Sequence, residues 1–521
     1  MNEERILYLV YQKDFSESGY DRYFLFDGEA FSEVSSQEVV ALDCILVTHD
    51  FWLIASSLHK KHESLPSNVL DVVLLSKIVA GVKSVDGSVQ PWEISKTIKP
   101  LFKLSEDFDS YMDIYYRRTE LTMDVYMLFS HKLAEYFEQL SARASDLGEA
   151  DRFYSLELPV FNQLTLSACR GIRIDKDVVK AHKVALKLDF YRQLKLFAEK
   201  HKVLYEIPNE GEIREVMGKL GYSIQDYSLD FMIDFLPSRD GYTEDLRSLQ
   251  KVNKSYRVFN SISSGSSRLR PIVESHWTST SRIYHKSPSL QNISKKYRNI
   301  FIPDEGMSLC YVDYDQFEIG IMAALSSDSK MKSIYEEGDA YKDLAVHIFD
   351  DESMRKKAKV MFLSYTYGMS IENIVSSVRE LGGSQRNARA YFSEFAIFED
   401  WKEKLNEKFL KDGKIPTISA NYLNRSTGSD SCYKGLTEKE KRTSVNHVIQ
   451  GTATYIFKKA LLELSKIDSI QILIPMHDAV LFQHPKKVDP DFAVKIFEDV
   501  MTTELAGKVA GKASIEEFYA K

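Results

Sequence analysis

CYVDYDQFEIGIMAAL (Cys310–Leu325) and PMHDAV (Pro475–Val480) decide the reading of this 521-residue chain. Each places one aspartate at the end of an apolar, strand-like run: Asp313 after LCYV and Asp478 after IQILIPMH. The two lie 165 residues apart, yet neighbouring strands bring such positions side by side. Two carboxylates held together are what two-metal chemistry needs, and in this context the pair points to nucleotidyl transfer.

Working outward, the length suggests about three domains. Hydrophobic content of 44% and charged content of 28% describe a globular, soluble chain. No apolar run approaches the ~18 residues of a membrane span, and MNEERILYLV lacks the basic start and long apolar core of a signal peptide. Cys44, Cys169, Cys310 and Cys432 show no metal or disulfide spacing and read as reduced thiols.

The net charge of −8 argues at first against a nucleic-acid partner, but its distribution does not. Residues 1–150 carry 14 Lys/Arg against 25 Asp/Glu, whereas the remainder carries 54 against 51. Within 251–300 there are ten basic residues and one acidic residue, Glu274. Such a segment can follow a phosphate backbone; a solvated helix face explains it equally well.

RILYLVYQ (5–12), RYFLF (22–26) and CILVT (44–48) read as strands, and a long helical pattern lies around 111–142, giving a small α/β domain of roughly 150 residues. From Leu156 to about Phe259 the chain is mostly helical, with Leu246, Leu249, Val252 and Tyr256 near one face of 246–259. The Ser/Gly run 261–268 is a loop, strands return at 309–313, and helices cover 340–412. A polar loop at 418–436, a helix at 438–466 and a strand pair around 469–483 complete the pattern.

MRKKAKVMFLSYTYGMS (354–370) sets Arg355, Lys359, Leu363 and Tyr367 four residues apart, hence on one helical face. Two cations can clamp a triphosphate, and the apolar and aromatic residues can support a base. Arg442, Asn446 and Gln450 repeat the same spacing and suit contacts to a nucleic-acid groove. TSTSRIYHKSPSLQNISKKYRNIF (278–301) adds Arg282, Gln291 and Asn292. An amphipathic surface helix, a satisfied polar face and a basic loop are the bland alternatives for these three segments.

Together the segments resemble the family A DNA polymerases, the group of bacterial DNA polymerase I and many phage enzymes. The family's DYSQIELR is here DYDQFEIG (313–320), its RxxxKxxxF/YGxxYG is RKKAKVMFLSYTYG (355–368), and its HDE is HDA (477–479). TGRLSSxxPNLQNIP resembles TSRIYHKSPSLQNIS (280–294), and RxxxNxPxQGTAAD resembles RTSVNHVIQGTATY (442–455). Five motifs in family order cover about 156–521.

The resemblance implies an α+β multidomain fold: a right-hand polymerase preceded by an α/β ribonuclease H-like, 3′–5′ exonuclease-like domain. Residues 1–150 would form that first domain, 151–275 a mainly helical thumb and the start of the palm, and 276–338 palm with the first catalytic motif. Fingers would follow over 339–437 and palm with the last motif over 438–521. It also implies DNA-templated extension of a primer 3′-hydroxyl with dNTPs. Asp313, Asp478 and the Tyr314 carbonyl would hold two Mg²⁺ ions, for which Mn²⁺ can substitute. Lys359 would be catalytic as a proton donor to pyrophosphate. Arg355, Lys359, Leu363, Tyr367, Glu318, Gln316 and Tyr314 would bind dNTP, with Glu318 crowding a 2′-hydroxyl. Arg282, Gln291, Asn292, Arg442, Asn446, Gln450, His477 and Gly368 would contact DNA.

Partners would be primer-template DNA and replisome proteins (a helicase, a processivity factor, a single-strand binding protein), with the chain a monomer away from the membrane. The location would be cytoplasmic, that of the host bacterium for a phage enzyme. A single-subunit RNA polymerase and a decayed nucleic-acid-binding replication factor are the alternatives; Glu318 argues against the first, and the retained Asp313, Asp478, Arg355 and Lys359 against the second.

Departures from the family pattern are Leu363 for an aromatic residue, which points toward a phage-type member, Ala479 for the second acid of HDE, Ser364 for glycine and Asp315 for serine. In the first domain Asp27, Glu29, Asp50 and Asp124 are expected as exonuclease relics, with Asp71 on the strand after Asp50. Glu120 stands where a tyrosine is expected, and Asp27 and Glu29 lie too close to Asp50. The simplest account is that the first strand is missing, RILYLVYQ is the second and proofreading is lost. The chain also lacks room for a 5′-nuclease domain.

Overall fold

The computed structural model describes residues 5–14, 20–80, 98, 101, 122–221, 229, 233, 241–425 and 435–520. Glu120 and Cys432 lie outside them.

The first domain is built on a mixed five-stranded sheet of order β3-β2-β1-β4-β5. Its strands are β1 (Ile6–Gln12), β2 (Arg22–Phe26), β3 (Phe31–Val34), β4 (Ile45–Thr48) and β5 (Asn68–Asp71). β1 is the central strand, antiparallel to β2 and parallel to β4. Its alternating side chains are buried on both faces. Tyr8 and Val10 pack with helix α2 (Met123–Leu147), while Leu7, Leu9 and Tyr11 pack with helix α1 (Trp52–His62). The inferred missing strand therefore finds no gap, because β1 is hydrogen-bonded on both sides within a continuous sheet.

Helix α3 (Leu158–Arg170) joins this domain to the rest, entered through a π-helical turn at Phe153–Glu157. The segment expected as the thumb contains a helix pair, α4 (Lys176–His201) and α5 (Gly241–Ser261). Phe190 stacks on Tyr256 and Phe197 packs on Tyr242, so the two helices run antiparallel. Leu246 and Leu249 are fully buried, with Val252 and Tyr256 partly so, as the periodicity requires.

The palm sheet has the order β7-β8-β6-β9. Its strands are β6 (Met307–Tyr314), β7 (Gln471–Met476), β8 (Ala479–Pro485) and β9 (Ala513–Ile515), all antiparallel to their neighbours. Val312 and Tyr314 point to a helical layer formed by α6 (Phe317–Ser326), α9 (Glu438–Ser465) and α10 (Asp491–Glu504). A capping box between Thr437 and Glu440 starts α9. Tyr311 packs on the opposite face with Ala479, Leu481 and Phe518. Period two puts Asp313 on that same open face.

The fingers comprise α7 (Ala340–Phe349), α8 (Arg355–Thr366) and three further helices to Asp412, packed round Tyr365, Tyr391, Phe392, Phe395 and Phe398. Among the described residues no helix is long and apolar enough to cross a membrane. Cys169 and Cys310 are buried free thiols, and Cys44 is half-buried.

Candidate active site

β6 ends at the centre of the palm sheet, so Asp313 is presented where three strands meet. Its register partner on β8 is Ala479, and on β9 it is Ser514. Asp478 lies one residue before Ala479, in the two-residue turn His477–Asp478, whose sharp reversal holds His477 at φ 62°. The Tyr314 N–H approaches the Asp478 carbonyl at 3.5 Å. Burial, then Asp478, Glu516 and Asp315, push the Asp313 carboxyl up to about 8, against the opposing pull of Lys359. Burial also raises the Asp478 carboxyl.

Asp478 raises the proton affinity of Asp313, and both carboxyls are half-buried, an arrangement that a bound cation would relieve. Among the described residues no three His, Cys, Asp or Glu side chains gather as a complete ligand set. Mg²⁺ takes one or two carboxylates and completes its shell with water and substrate phosphate, so a pair of aspartates would be enough to hold it.

Glu516 escaped the sequence reading. It follows β9, and its N–H donates to the Tyr311 carbonyl at 2.9 Å. The alternation in ASIEEF, with Ser514 and Glu516 on one face, was the available signal.

α8 carries Arg355, Lys359 and Leu363 on the expected face, and Tyr367 caps its end. The helix stops in a Schellman arrangement. Gly368 N–H bonds the Tyr365 carbonyl at 3.0 Å and Met369 N–H bonds the Ser364 carbonyl at 2.9 Å, with Gly368 at φ 95°. A side chain there would also strike Arg442, whose Cγ stands 2.7 Å from the Cβ position. Arg355 and Lys359 lie 5.5 and 5.4 Å from the Tyr341 ring centroid. The Arg355 Nε donates to Asp339 at 2.7 Å. The sequence reading missed Asp339 and Tyr341, because their distance from α8 is set by the turn between helices.

Glu318 sits in the first turn of α6, within electrostatic reach of Asp478 and of Lys359 on α8. Burial raises its carboxyl, while a hydrogen bond from the Tyr367 hydroxyl, then Arg282 and Lys359, lower it. Arg282 Nη2 is 3.9 Å from Glu318, and the Gln450 amide reaches the Tyr367 hydroxyl at 3.4 Å. Four residues from four segments thus meet at one spot. On α9 the Asn446 Oδ1 is buried with no hydrogen-bond partner among the described residues. His477 is lowered by burial first, and the cations Arg282, Lys254 and Arg298 add to this against Asp478. Three cations of the basic stretch 251–300 therefore act on the His477–Asp478 turn.

Several of the expected contact residues are engaged within the protein. Gln291 is buried; its amide donates to the Ile283 and Pro475 carbonyls at 3.0 Å each and accepts from His285 N–H at 3.3 Å. It therefore pins the turn at Pro475, with both amide atoms engaged by the palm backbone. Gln316 donates to the Gly338 carbonyl at 2.7 Å and accepts from Ala340 N–H at 2.9 Å. Its amide anchors the turn before α7. The Tyr314 ring stacks on Phe317 at 4.0 Å and its hydroxyl donates to the Phe497 carbonyl, so only its backbone can serve the site. Asn292 donates to Ser289 at 2.7 Å and remains partly exposed.

Among the described residues, the acids expected as exonuclease relics do not form a metal-binding group. Asp27 and Glu29 sit in the exposed β2–β3 turn, where Asp27 accepts the Glu29 and Ala30 N–H groups. Asp71 accepts the backbone N–H groups of Asp50, Phe51 and Val73. Burial and then Asp50 push its carboxyl up to about 6. Asp124 is exposed in the first turn of α2. β1 carries no acid, and Gln12 at its end accepts the Tyr126 hydroxyl at 2.8 Å.

Comparison with known proteins agrees with this geometry. A family model described as DNA polymerase family A matches residues 183–516. The chain is 28% identical over 232 residues to the thermostable DNA polymerase I of Thermus aquaticus, covering 40% of this chain and 27% of that protein. It is 24% identical over 390 residues to DNA polymerase I of Helicobacter pylori, covering 70% and 43%. With DNA polymerase theta of Caenorhabditis elegans it shares 30% over 224 residues, covering 40% and 13%. The matches thus span less than half the length of these relatives. The POL domain of Pol1 from M. smegmatis, solved with DNA primer-template and dNTP, shares the fold at a TM-score of 0.72 and 16% identity, covering 98% of this chain and 94% of that one. The chain belongs to DNA polymerase family A.

Proposed function

We propose that the chain is a DNA-templated DNA polymerase that extends a primer 3′-hydroxyl with dNTPs. The observation that carries this is the meeting of Asp313 and Asp478 on one palm face with Lys359, which acts electrostatically on both. Primer-template DNA and dNTP, the molecules named with the M. smegmatis structure, are the substrates this arrangement suits.

Asp313, Asp478 and the Tyr314 carbonyl would hold two Mg²⁺ ions. When bound, the ions would activate the 3′-hydroxyl and neutralise charge on the leaving pyrophosphate. The chain's own residues do the remainder. Arg355 exchanges Asp339 for the triphosphate, which offers more negative charge and more acceptor oxygens. Lys359 binds beside it and supplies a proton to the pyrophosphate. Leu363 and Tyr367 flank the base, and Leu363 offers a smaller apolar surface than an aromatic ring. Glu318, fixed by Tyr367 and Arg282, occupies the space a 2′-hydroxyl needs. Arg282, Arg442, Asn446, Gln450 and His477 contact primer and template near the new pair, with Gly368 beside the template. The first domain serves without proofreading, because the acids that would hold metals are spent on turns or lie apart. A replicative setting in a bacterial host's cytoplasm, with replisome partners, extends this reading.

The test is primer extension on two templates that differ in one base, with Mg²⁺ and each dNTP or rNTP in turn. Insertion of the complementary dNTP alone is expected. Insertion that ignores the template base, or that takes rNTPs equally, contradicts the proposal.

A further inference from the structure

Arg282 follows a residue with an unusual backbone. Ser281 is held at φ 62°, a left-handed conformation that side-chain-bearing residues rarely adopt. The family pattern TGRLSS has glycine there, which adopts it freely; this chain has serine and uses its hydroxyl. Ser281 Oγ donates to Glu157 Oε1 at 2.6 Å. It accepts from Lys458 Nζ at 2.6 Å and meets His276 Nδ1 at 2.9 Å. A hydroxyl has one proton and two lone pairs. The proton goes to Glu157, so His276 must donate from Nδ1.

Lys458 and Glu157 are themselves paired at 2.6 Å, with side-chain exposures of 0% and 1%. Arg152 donates to the same Glu157 at 2.6 Å and also pairs with Glu149. Two cations and two carboxylates balance in the interior, so the cluster is a fixed framework. It joins the π-helical turn ahead of α3, the middle of α9 and the 278–282 turn. That turn is tight on its own account: Ser281 N–H bonds the Thr278 carbonyl at 2.8 Å, and Arg282 N–H bonds the Thr278 hydroxyl at 3.3 Å.

We propose that Ser281 is the positioning residue of Arg282: the buried Glu157–Lys458 pair grips its hydroxyl and thereby fixes the direction from which the guanidinium meets Glu318 and the primer end. The inference rests on Arg282 touching primer or incoming nucleotide, as assigned above. Removing the hydroxyl frees the turn to swing while leaving the ion pair intact.

The experiment is single-turnover dNTP insertion on a matched primer by the full chain, Ser281→Ala, Ser281→Gly, Arg282→Ala and the Ser281→Ala/Arg282→Ala double variant, with the unfolding midpoint of each. Ser281→Gly keeps the left-handed backbone unstrained, so it separates loss of the hydroxyl from loss of fold. Both Ser281 variants are expected to insert about tenfold more slowly than the parent, and Ser281→Ala to add nothing once Arg282 is alanine. Parental rates in Ser281→Gly, or an equal loss from Ser281→Ala with and without Arg282, overturn the inference. Full activity in Arg282→Ala instead removes the assigned contact, and the inference with it.

Discussion

Glu318→Ala should relax the choice of sugar by an amount that its surroundings set. The Glu318 carboxylate accepts the Tyr367 hydroxyl and stands 3.9 Å from Arg282. On the proposed role of Glu318, a nucleotide with a 2′-hydroxyl would enter only if the carboxylate moved, which would break the Tyr367 hydrogen bond. A hydrogen bond to a charged group contributes about 1.5–3 kcal/mol net. At about 1.4 kcal/mol per tenfold, the gate should impose about 10- to 150-fold discrimination. Truncation to alanine removes the obstacle, so the ratio of dNTP to rNTP insertion efficiency should fall by that factor. Tyr367→Phe leaves the carboxylate in place but less constrained, and should give a smaller fall. The assay is single-turnover insertion of a matched dNTP and rNTP by the three proteins. A ratio unchanged in Glu318→Ala refutes the gate, and a larger fall in Tyr367→Phe than in Glu318→Ala refutes the mechanism of holding.

Other consequences follow from particular residues. The Glu157 carboxyl sits at about 2: burial raises it, and Lys458 and Arg152 more than reverse that. The stability it contributes is therefore present above the unfolded value near 4.5 and lost as pH falls toward 2, a loss of about 3 kcal/mol. Denaturant unfolding between pH 5 and 2 should show this slope in the parent and lack it in Glu157→Gln. Gly368→Ala places a side chain at φ 95° against Arg442, and should cost about 1–2 kcal/mol in denaturant unfolding; an unchanged midpoint contradicts the geometry. A primer with a 3′ mismatch should keep its length with Mg²⁺, and excision that disappears in Asp124→Ala would show that the first domain proofreads.

Much of the polymerase site was legible because its residues sit on regular elements. Asp313 follows an apolar run that forms β6, and Arg355, Lys359 and Leu363 repeat every fourth residue on one helix, so local patterns placed them on their elements. The strand RILYLVYQ was also legible as a strand, but its central place depends on pairing with β2 and β4, which no local pattern states. Gln291 and Gln316 look like ligands in sequence because their amides are polar and near the motifs. Only the fold shows that backbone groups of Ile283, Pro475, Gly338 and Ala340 use them. Glu157 and Lys458 lie 301 residues apart, and their meeting at Ser281 depends on three segments converging. Periodicity carries no information about such a meeting.

The central claim is that Asp313 and Asp478 form the metal site of DNA synthesis. The most direct measurement is single-turnover dNTP insertion with Mg²⁺ on prebound primer-template by the parent, Asp313→Ala and Asp478→Ala, with DNA affinity measured alongside. The account predicts insertion by the parent and a loss of at least about a thousandfold in each variant, with DNA binding retained. Insertion near the parental rate by either variant contradicts it.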